Sequence, residues 1–88
     1  MQKVYLRALS AGFYDKQTLT VAAGRPVEFH FTAESDAGCG RALYIPDFGV
    51  QLISNGDEKI ATFTPTRAGS YPYRCSMNMF RGTLEVTP

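Results

Sequence analysis

A two-residue alternation of apolar and polar side chains constrains the fold of this chain more than any other feature. Over residues 27–32 every second side chain is apolar, and the intervening polar ones include His30. Thr18–Ala22 repeats the pattern, with Leu19 and Val21 on one face and threonines on the other. Because successive side chains of a β-strand point to opposite faces, this period predicts half-buried strands. No apolar stripe of helical period has a useful length, so we expect an all-β fold.

Further strands are predicted wherever a short run with this character is bounded by Gly, Pro, Asp or Asn. The predicted strands are residues 4–9, Ala42–Ile45, 59–64, 70–75 and 83–87, and residues 54–57 are predicted to be a turn. Short strands at this spacing are typical of a β-sandwich or barrel. We expect two packed antiparallel sheets whose loops gather at the two ends, where they are free to carry chemistry.

Length, composition and charge restrict the classes of function. The chain has 88 residues, 44% apolar and 12% aromatic, which predicts one small globular domain spanning residues 1–88. Its net charge is +1 and its basic residues are scattered, so neither nucleic acid nor an anionic membrane is an expected partner. Apolar runs are too short for direct membrane insertion. The first residues lack the apolar segment of a signal peptide, which leaves a cytosolic chain or a mature domain of a longer protein.

Sulfur is concentrated in residues 74–82, RCSMNMFRG. Of two cysteines and three methionines, Cys75, Met77 and Met79 lie here, and Cys39 is the other internal sulfur. In an extended or looped backbone alternate side chains face the same way, so this spacing allows all three sulfurs to turn toward one point. Thiolates and thioethers are soft donors, which select Cu(I) over Cu(II) and over Mg²⁺ or Ca²⁺. The stretch is therefore a candidate soft-metal loop.

Simpler interpretations of these residues remain open. Methionine usually fills gaps in a hydrophobic core, although the polar neighbours Ser76 and Asn78 favour a loop here. His30 lies on the outward face of its predicted strand and is expected to be a surface residue without a chemical role. The sequence shows neither the strained turn of a catalytic nucleophile nor the pattern of a catalytic triad around it. We therefore expect no catalytic residues and no enzymatic activity.

The order of these segments resembles the cupredoxin family over almost the whole chain. The most specific segment is FTPTRAGSYPYRCSMNM, residues 63–79, which is similar to the cupredoxin strand that runs through aromatic residues to a metal-binding cysteine and a ligand loop. An earlier Gly-Cys-Gly-Arg, residues 38–41, and a Cys-x-Met-x-Met ending resemble the cupredoxin-like domains found beside heavy-metal transport proteins. The resemblance implies a Greek-key β-sandwich with a copper site at one end.

The same resemblance suggests a ligand set without histidine. A blue-copper site needs two histidines, a thiolate and a weak axial methionine, yet the corresponding segments 37–41 and 76–80 contain no histidine. Cys39 falls where the family places its first ligand and Cys75 at the family's cysteine position, so the two sulfurs are expected to meet. With Met77 and Met79 they form the predicted metal ligands, and the expected metal is copper, as Cu(I).

The expected role is copper delivery, storage or sensing. The resemblance suggests a membrane metal transporter, or another domain of a longer protein, as partner, and an extracytoplasmic or membrane-attached location. Two alternatives remain: an electron carrier that cycles copper, and a metal-free structural or interaction module. In the second, Cys39 and Cys75 would form a disulfide, worth roughly 4 kcal/mol to so small a domain.

Overall fold

The residues that the structure describes form eight strands in two sheets, and the predicted all-β class is confirmed. The computed structural model describes residues 1–75, 77 and 79–88, and this part of the chain contains no α-helix. The smaller sheet has the order β1-β3-β6 and the larger one β2-β8-β7-β4-β5. Two short 3₁₀ helices, Gly38–Arg41 and Pro46–Phe48, flank β4. The strands are β1 Gln2–Ala8, β2 Thr18–Ala22, β3 Val27–Ala33, β4 Ala42–Ile45, β5 Val50–Ile53, β6 Lys59–Phe63, β7 Gly69–Arg74 and β8 Arg81–Thr87.

Two features of the sheets differ from the expectation. Sequence analysis missed β5, a four-residue edge strand in which Val50 is buried but the apolar Ile53 is exposed, so that its period is blurred. The sheets are also mixed, because β1 pairs with β3, and β2 with β8, in parallel. From β1 in the smaller sheet the chain crosses to β2 in the larger sheet. It then returns to the smaller sheet as β3, which runs parallel to β1.

The hydrophobic core lies between the two sheets. The apolar side chains predicted to face inward on β3 are completely buried, and Phe29 meets Tyr73 of β7 with ring centroids 6.4 Å apart. The central strands β8 and β4 contribute Leu84, Leu43 and Ile45, which are equally buried. Alternation thus decides which face of each strand enters the core.

The prediction that His30 is a surface residue is wrong. Only 8% of the residue is exposed, because the ring of Tyr5, its partner on β1, stacks on it at 4.5 Å. The imidazole Nδ1 lies 2.9 Å from Glu58 Oε1 and Nε2 lies 2.5 Å from Glu28 Oε1. The two glutamates thus lie on either side of the imidazole. His30 is therefore covered by a side chain of β1 and contacted by carboxylates of β3 and of the loop before β6.

Strand direction brings three chain segments to one end of the sandwich. β3 ends there, β4 begins there, and β7 ends there beside β4, with Tyr44 paired to Arg74. Ser54 fastens this end, because its Oγ accepts from the Ala33 N–H at 3.0 Å and its own N–H donates to Arg41 O at 2.8 Å. Within the described residues, no helix is long and apolar enough to cross a membrane.

Candidate metal centre

The two cysteines meet at this end of the sandwich. Cys39 lies in the 3₁₀ helix that leads into β4, and Cys75 follows directly after β7, the neighbour of β4. Their Sγ atoms are 3.2 Å apart and both thiols are free, so no disulfide joins them in this structure. Cys75 is buried and Cys39 is partly exposed. An ion or oxidant from solvent therefore reaches the pair from the side of Cys39.

The surroundings of the two thiols differ, although the residues are chemically identical. Burial opposes ionisation of Cys75, but backbone N–H groups of Phe80 and Met79 donate to its sulfur at 3.3 and 3.2 Å. Together with the thiol of Cys39 they lower the pKa of Cys75 below its usual range. The pKa of Cys39 is raised, mainly by its hydrogen bond with Cys75 and also by its partial burial. The pair thus favours a thiolate at Cys75 and a thiol at Cys39.

A short backbone link closes the loop that carries the sulfurs. The N–H of Cys75 donates to Phe80 O at 2.9 Å, so the chain returns to the end of β7 before β8 begins. The Phe80 side chain is buried and packs on Gly40, where an added Cβ would lie 2.5 Å from two ring atoms. Gly40 adjoins Cys39, so the two cysteine-bearing segments pack directly on each other.

Both methionines of the loop are exposed. Met77 and Met79 each expose 69% of their surface, so the interpretation of them as core residues is wrong. Ser76 and Asn78, whose polarity predicted a loop, lie outside the described residues. Among the residues with assigned positions, no group of three or more His, Cys, Asp or Glu is placed to hold a metal ion. The thioethers of Met77 and Met79 are the soft donors that follow Cys75 in this loop.

Tyr14 is a residue of this region that sequence analysis did not single out. It is buried with its ring 5.3 Å from that of Phe80 and 5.5 Å from that of Tyr73. Its hydroxyl has no hydrogen-bond partner in the described part of the chain. Burial raises the pKa of Tyr14 far above its ordinary value, and the neighbouring Cys75 adds to this effect, so the phenol stays protonated. No alternation marks it, because it pairs with Ala8 through an isolated bridge.

Known proteins that are similar to this chain include copper-binding ones. The family model described as "Cupredoxin-like domain" matches residues 2–86. The fold is similar to the metal-binding domain of the Cu(I) exporting P-type ATPase CopA of Streptococcus pneumoniae D39, solved with Cu(I), with a TM-score of 0.87 and 23% identity over 98% of this chain and 85% of that one. A copper-binding protein in its apo form matches with a TM-score of 0.80 and 26% identity over 98% and 89% of the two chains.

A third similar structure has a different copper chemistry. It is auracyanin A, a "blue" copper protein of Chloroflexus aurantiacus, which matches with a TM-score of 0.68 and 20% identity over 97% of this chain and 99% of that one. No curated protein sequence matches this chain. The same fold therefore occurs in a domain solved with Cu(I) and in a "blue" copper protein.

Proposed function

Because this chain belongs to the cupredoxin-like domain family, we propose that it binds Cu(I) through sulfur and serves in copper delivery, storage or sensing. The observation that carries the proposal is the 3.2 Å approach of the Cys39 and Cys75 sulfurs at one end of the sandwich. A pair of thiols without a neighbouring histidine suits a soft monovalent ion better than Cu(II). The Cu(I)-containing domain with the same fold supports this choice of metal.

The surroundings of Cys75 prepare it for an ion. Backbone donors hold its sulfur in place and favour the thiolate, the form that binds metal. Cys39 gives up its proton when the ion arrives, so binding is coupled to pH and weakens as the solution becomes more acidic. The buried ring of Phe80 forms an apolar wall behind the pair.

Met77 and Met79 are the proposed additional ligands. Their exposure of 69% each gives them no packing role that accounts for their place beside Cys75. A thioether has no proton to lose, so it continues to bind Cu(I) where acid competes for the thiolates. One of the two is enough, because Cu(I) is satisfied by a small number of soft donors.

The comparisons also support a proposal about the setting. One domain of this fold belongs to a Cu(I) exporting ATPase, so we propose that this chain hands copper to, or receives it from, a membrane transporter or a neighbouring domain. The proposal assigns no catalytic activity to the chain. An electron carrier of the blue-copper kind ranks below it, since the cysteines lack the pair of histidines that such a site uses.

A competition titration tests the proposed site. The reduced protein is titrated with Cu(I) against a Cu(I) chelator, and free thiols are counted before and after metal is added. We expect Cys39→Ser to lose most of the affinity, while the metal-free reduced protein stays folded. If reduction alone unfolds the wild type, the alternative of a disulfide-stabilised module is favoured instead.

The methionines are tested in the same titration. Met77→Ala or Met79→Ala is expected to weaken Cu(I) binding, most of all at low pH, with little change in the free energy of unfolding. Ile60→Ala is the matched control, because Ile60 is 51% exposed on β6 and is not part of the sulfur loop. Unchanged Cu(I) affinity in both methionine variants contradicts their assignment as ligands.

A further inference from the structure

A surface groove beside the sulfur loop has no role in the function proposed so far. We propose that Arg74 and Arg81 form a binding site for carboxylate anions in this groove, and that the natural ligand is a pair of carboxylates on the molecule that exchanges Cu(I) with Cys39 and Cys75. The second part rests on the proposed function. The anion site itself does not, and it is measurable on metal-free protein.

The pairing of β7 with β8 sets the two arginines opposite each other. Arg74 and Arg81 are direct partners in the antiparallel register. Tyr73, which precedes Arg74, is buried, while Arg74 is half-buried and Arg81 exposed. Like charges directly opposite each other across two strands repel, so this arrangement is unfavourable unless an anion lies near.

The part of the chain that the structure describes provides no such anion. Its ion pairs involve the cations of Lys16, His30 and Lys59, and none includes an arginine. The nearest carboxylate along the outward face of β8 is Glu85, and both of its oxygens accept from the Ser70 hydroxyl, at 2.7 and 2.8 Å. Neither guanidinium group is therefore neutralised by a carboxylate of these residues.

One arginine is held in place and the other is adjustable. Arg74 Nη1 donates to Cys75 O at 3.2 Å, and the guanidinium lies 5.8 Å from the centre of the Tyr44 ring. Arg81 donates no hydrogen bond to any residue with an assigned position. A guanidinium offers a planar fork of N–H donors that matches a carboxylate. Two such forks on paired residues suit a ligand with two carboxylates.

The groove itself is large enough for such a ligand. It has a volume of about 460 Å³, and both arginines line it together with Gln17 and Thr83. This volume lies within the range of small-molecule sites. The Thr83 side chain adds a hydroxyl, which donates to carboxylates.

The position of the groove connects it with the metal centre. Arg74 immediately precedes Cys75 and Arg81 immediately follows Phe80. The two arginines therefore flank the sulfur loop, residues 75–80. A carrier that holds Cu(I) with two thiolates has a net negative charge, because the ion neutralises only one of them. Positive charge at the two ends of the loop attracts such a carrier and accelerates its encounter with this protein.

Anion binding is tested first on metal-free, reduced protein. Succinate and a glutamate-rich peptide are titrated separately, while NMR spectra record the backbone amides of residues 81–83 and the Nε–H groups of the arginines. We expect saturable shifts at Arg74, Arg81 and Thr83, which weaken as salt is added. Tighter binding of the peptide identifies an acidic protein surface as the source of the carboxylates, and tighter binding of succinate identifies a free dicarboxylate.

Variants then separate specific binding from general charge. Arg74→Gln and Arg81→Gln are expected to abolish the saturable shifts, and Arg67→Gln, in the loop before β7 at the other end of that strand, is expected to retain them. Arg81→Gln is the safer variant, because its side chain is exposed and lacks the contacts of Arg74. Absence of saturable shifts in the wild type, or equal binding by all three variants, overturns the anion site.

Copper transfer tests the second part of the proposal. The donor is Cu(I) bis-bicinchoninate, an anionic complex whose ligands carry carboxylates, and transfer is followed by loss of its colour. At low ionic strength Arg81→Gln is expected to slow transfer roughly tenfold, with an unchanged affinity at equilibrium. Transfer at the wild-type rate refutes the link to copper exchange and leaves the anion site to the NMR result. Absence of Cu(I) uptake by the wild type refutes the proposed function instead.

Discussion

Replacement of Gly40 by alanine is the sharpest test of how the two cysteine-bearing segments are packed. The added Cβ would lie 2.5 Å from Cε2 and Cζ of Phe80 and 2.9 Å from Cδ2. Unstrained carbon contacts lie at about 3.5–4.0 Å, so the ring has to retreat by roughly 1 Å. Phe80 is only 4% exposed and packs on Tyr14, so it has little room to do so.

The size of the effect follows from two opposing contributions. Overpacking a filled core costs about 1–3 kcal/mol. The substitution also stiffens the unfolded chain, which returns about 0.4–1 kcal/mol because the backbone at Gly40 has no positive φ. We expect a net destabilisation of about 1–2 kcal/mol in urea melts of the reduced, metal-free protein. Cu(I) affinity is expected to fall as well, because a displaced Phe80 moves its N–H away from the Cys75 sulfur.

Two further variants make the explanation refutable. Phe80→Leu replaces the ring with a smaller side chain. Combined with Gly40→Ala in a double-mutant cycle, it is expected to recover part of the lost stability. Gly38→Ala is the matched control: Gly38 has φ +64° and open space around its Cβ position, so its cost is a backbone effect that Phe80→Leu leaves unchanged. A neutral Gly40→Ala, or equal recovery in both pairs, refutes the steric argument.

Three other predictions concern the core, pH and copper. Glu58, together with Glu28, raises the pKa of His30 above its unfolded value, so its stabilising contribution is complete below about pH 6.5 and disappears as the pH rises through the folded pKa. Urea melts from pH 5.5 to 8.5 are expected to show this loss, and His30→Gln to lack it. Tyr14→Phe removes a buried hydroxyl without a partner in the described residues, so it is expected to stabilise the protein by about 1 kcal/mol, and a clear loss of stability would reveal a partner. Added Cu(II) is expected to give no intense blue band but to be reduced as thiols are lost to a disulfide, and a stable blue complex contradicts the ligand assignment.

Local sequence predicted the strands because burial on one face imposes a visible period. Thr18–Ala22 and Ala42–Ile45 have the predicted bounds, and the other predicted strands differ by one or two residues at their ends. β5 was not predicted because only its first residue is buried, and the apolar Ile53 faces solvent at the sheet edge. A strand of four residues with one buried side chain has too few positions to show a period.

Pairing between distant segments was not predictable in the same way. The period of β3 correctly placed His30 on the outward face, but it contained nothing about Tyr5, which β1 brings over the imidazole in parallel register. The opposition of Arg74 and Arg81 likewise depends on the register of β7 with β8. Contacts of this kind depend on which strands pair and in which register, and the period of a single strand does not reveal either.

The unequal state of the two thiols comes from the backbone on either side of them. Cys75 leaves a strand and enters a closed loop whose N–H groups turn back toward its sulfur. Cys39 lies in a 3₁₀ helix, where the next N–H, that of Gly40, is already bonded to Ala37 O. The backbone around Cys75 therefore stabilises negative charge, and Cys39 keeps the proton and the greater exposure. In the proposed function Cys75 is accordingly the fixed ligand. Cu(I) binds as Cys39 loses its proton, and it leaves as Cys39 regains one.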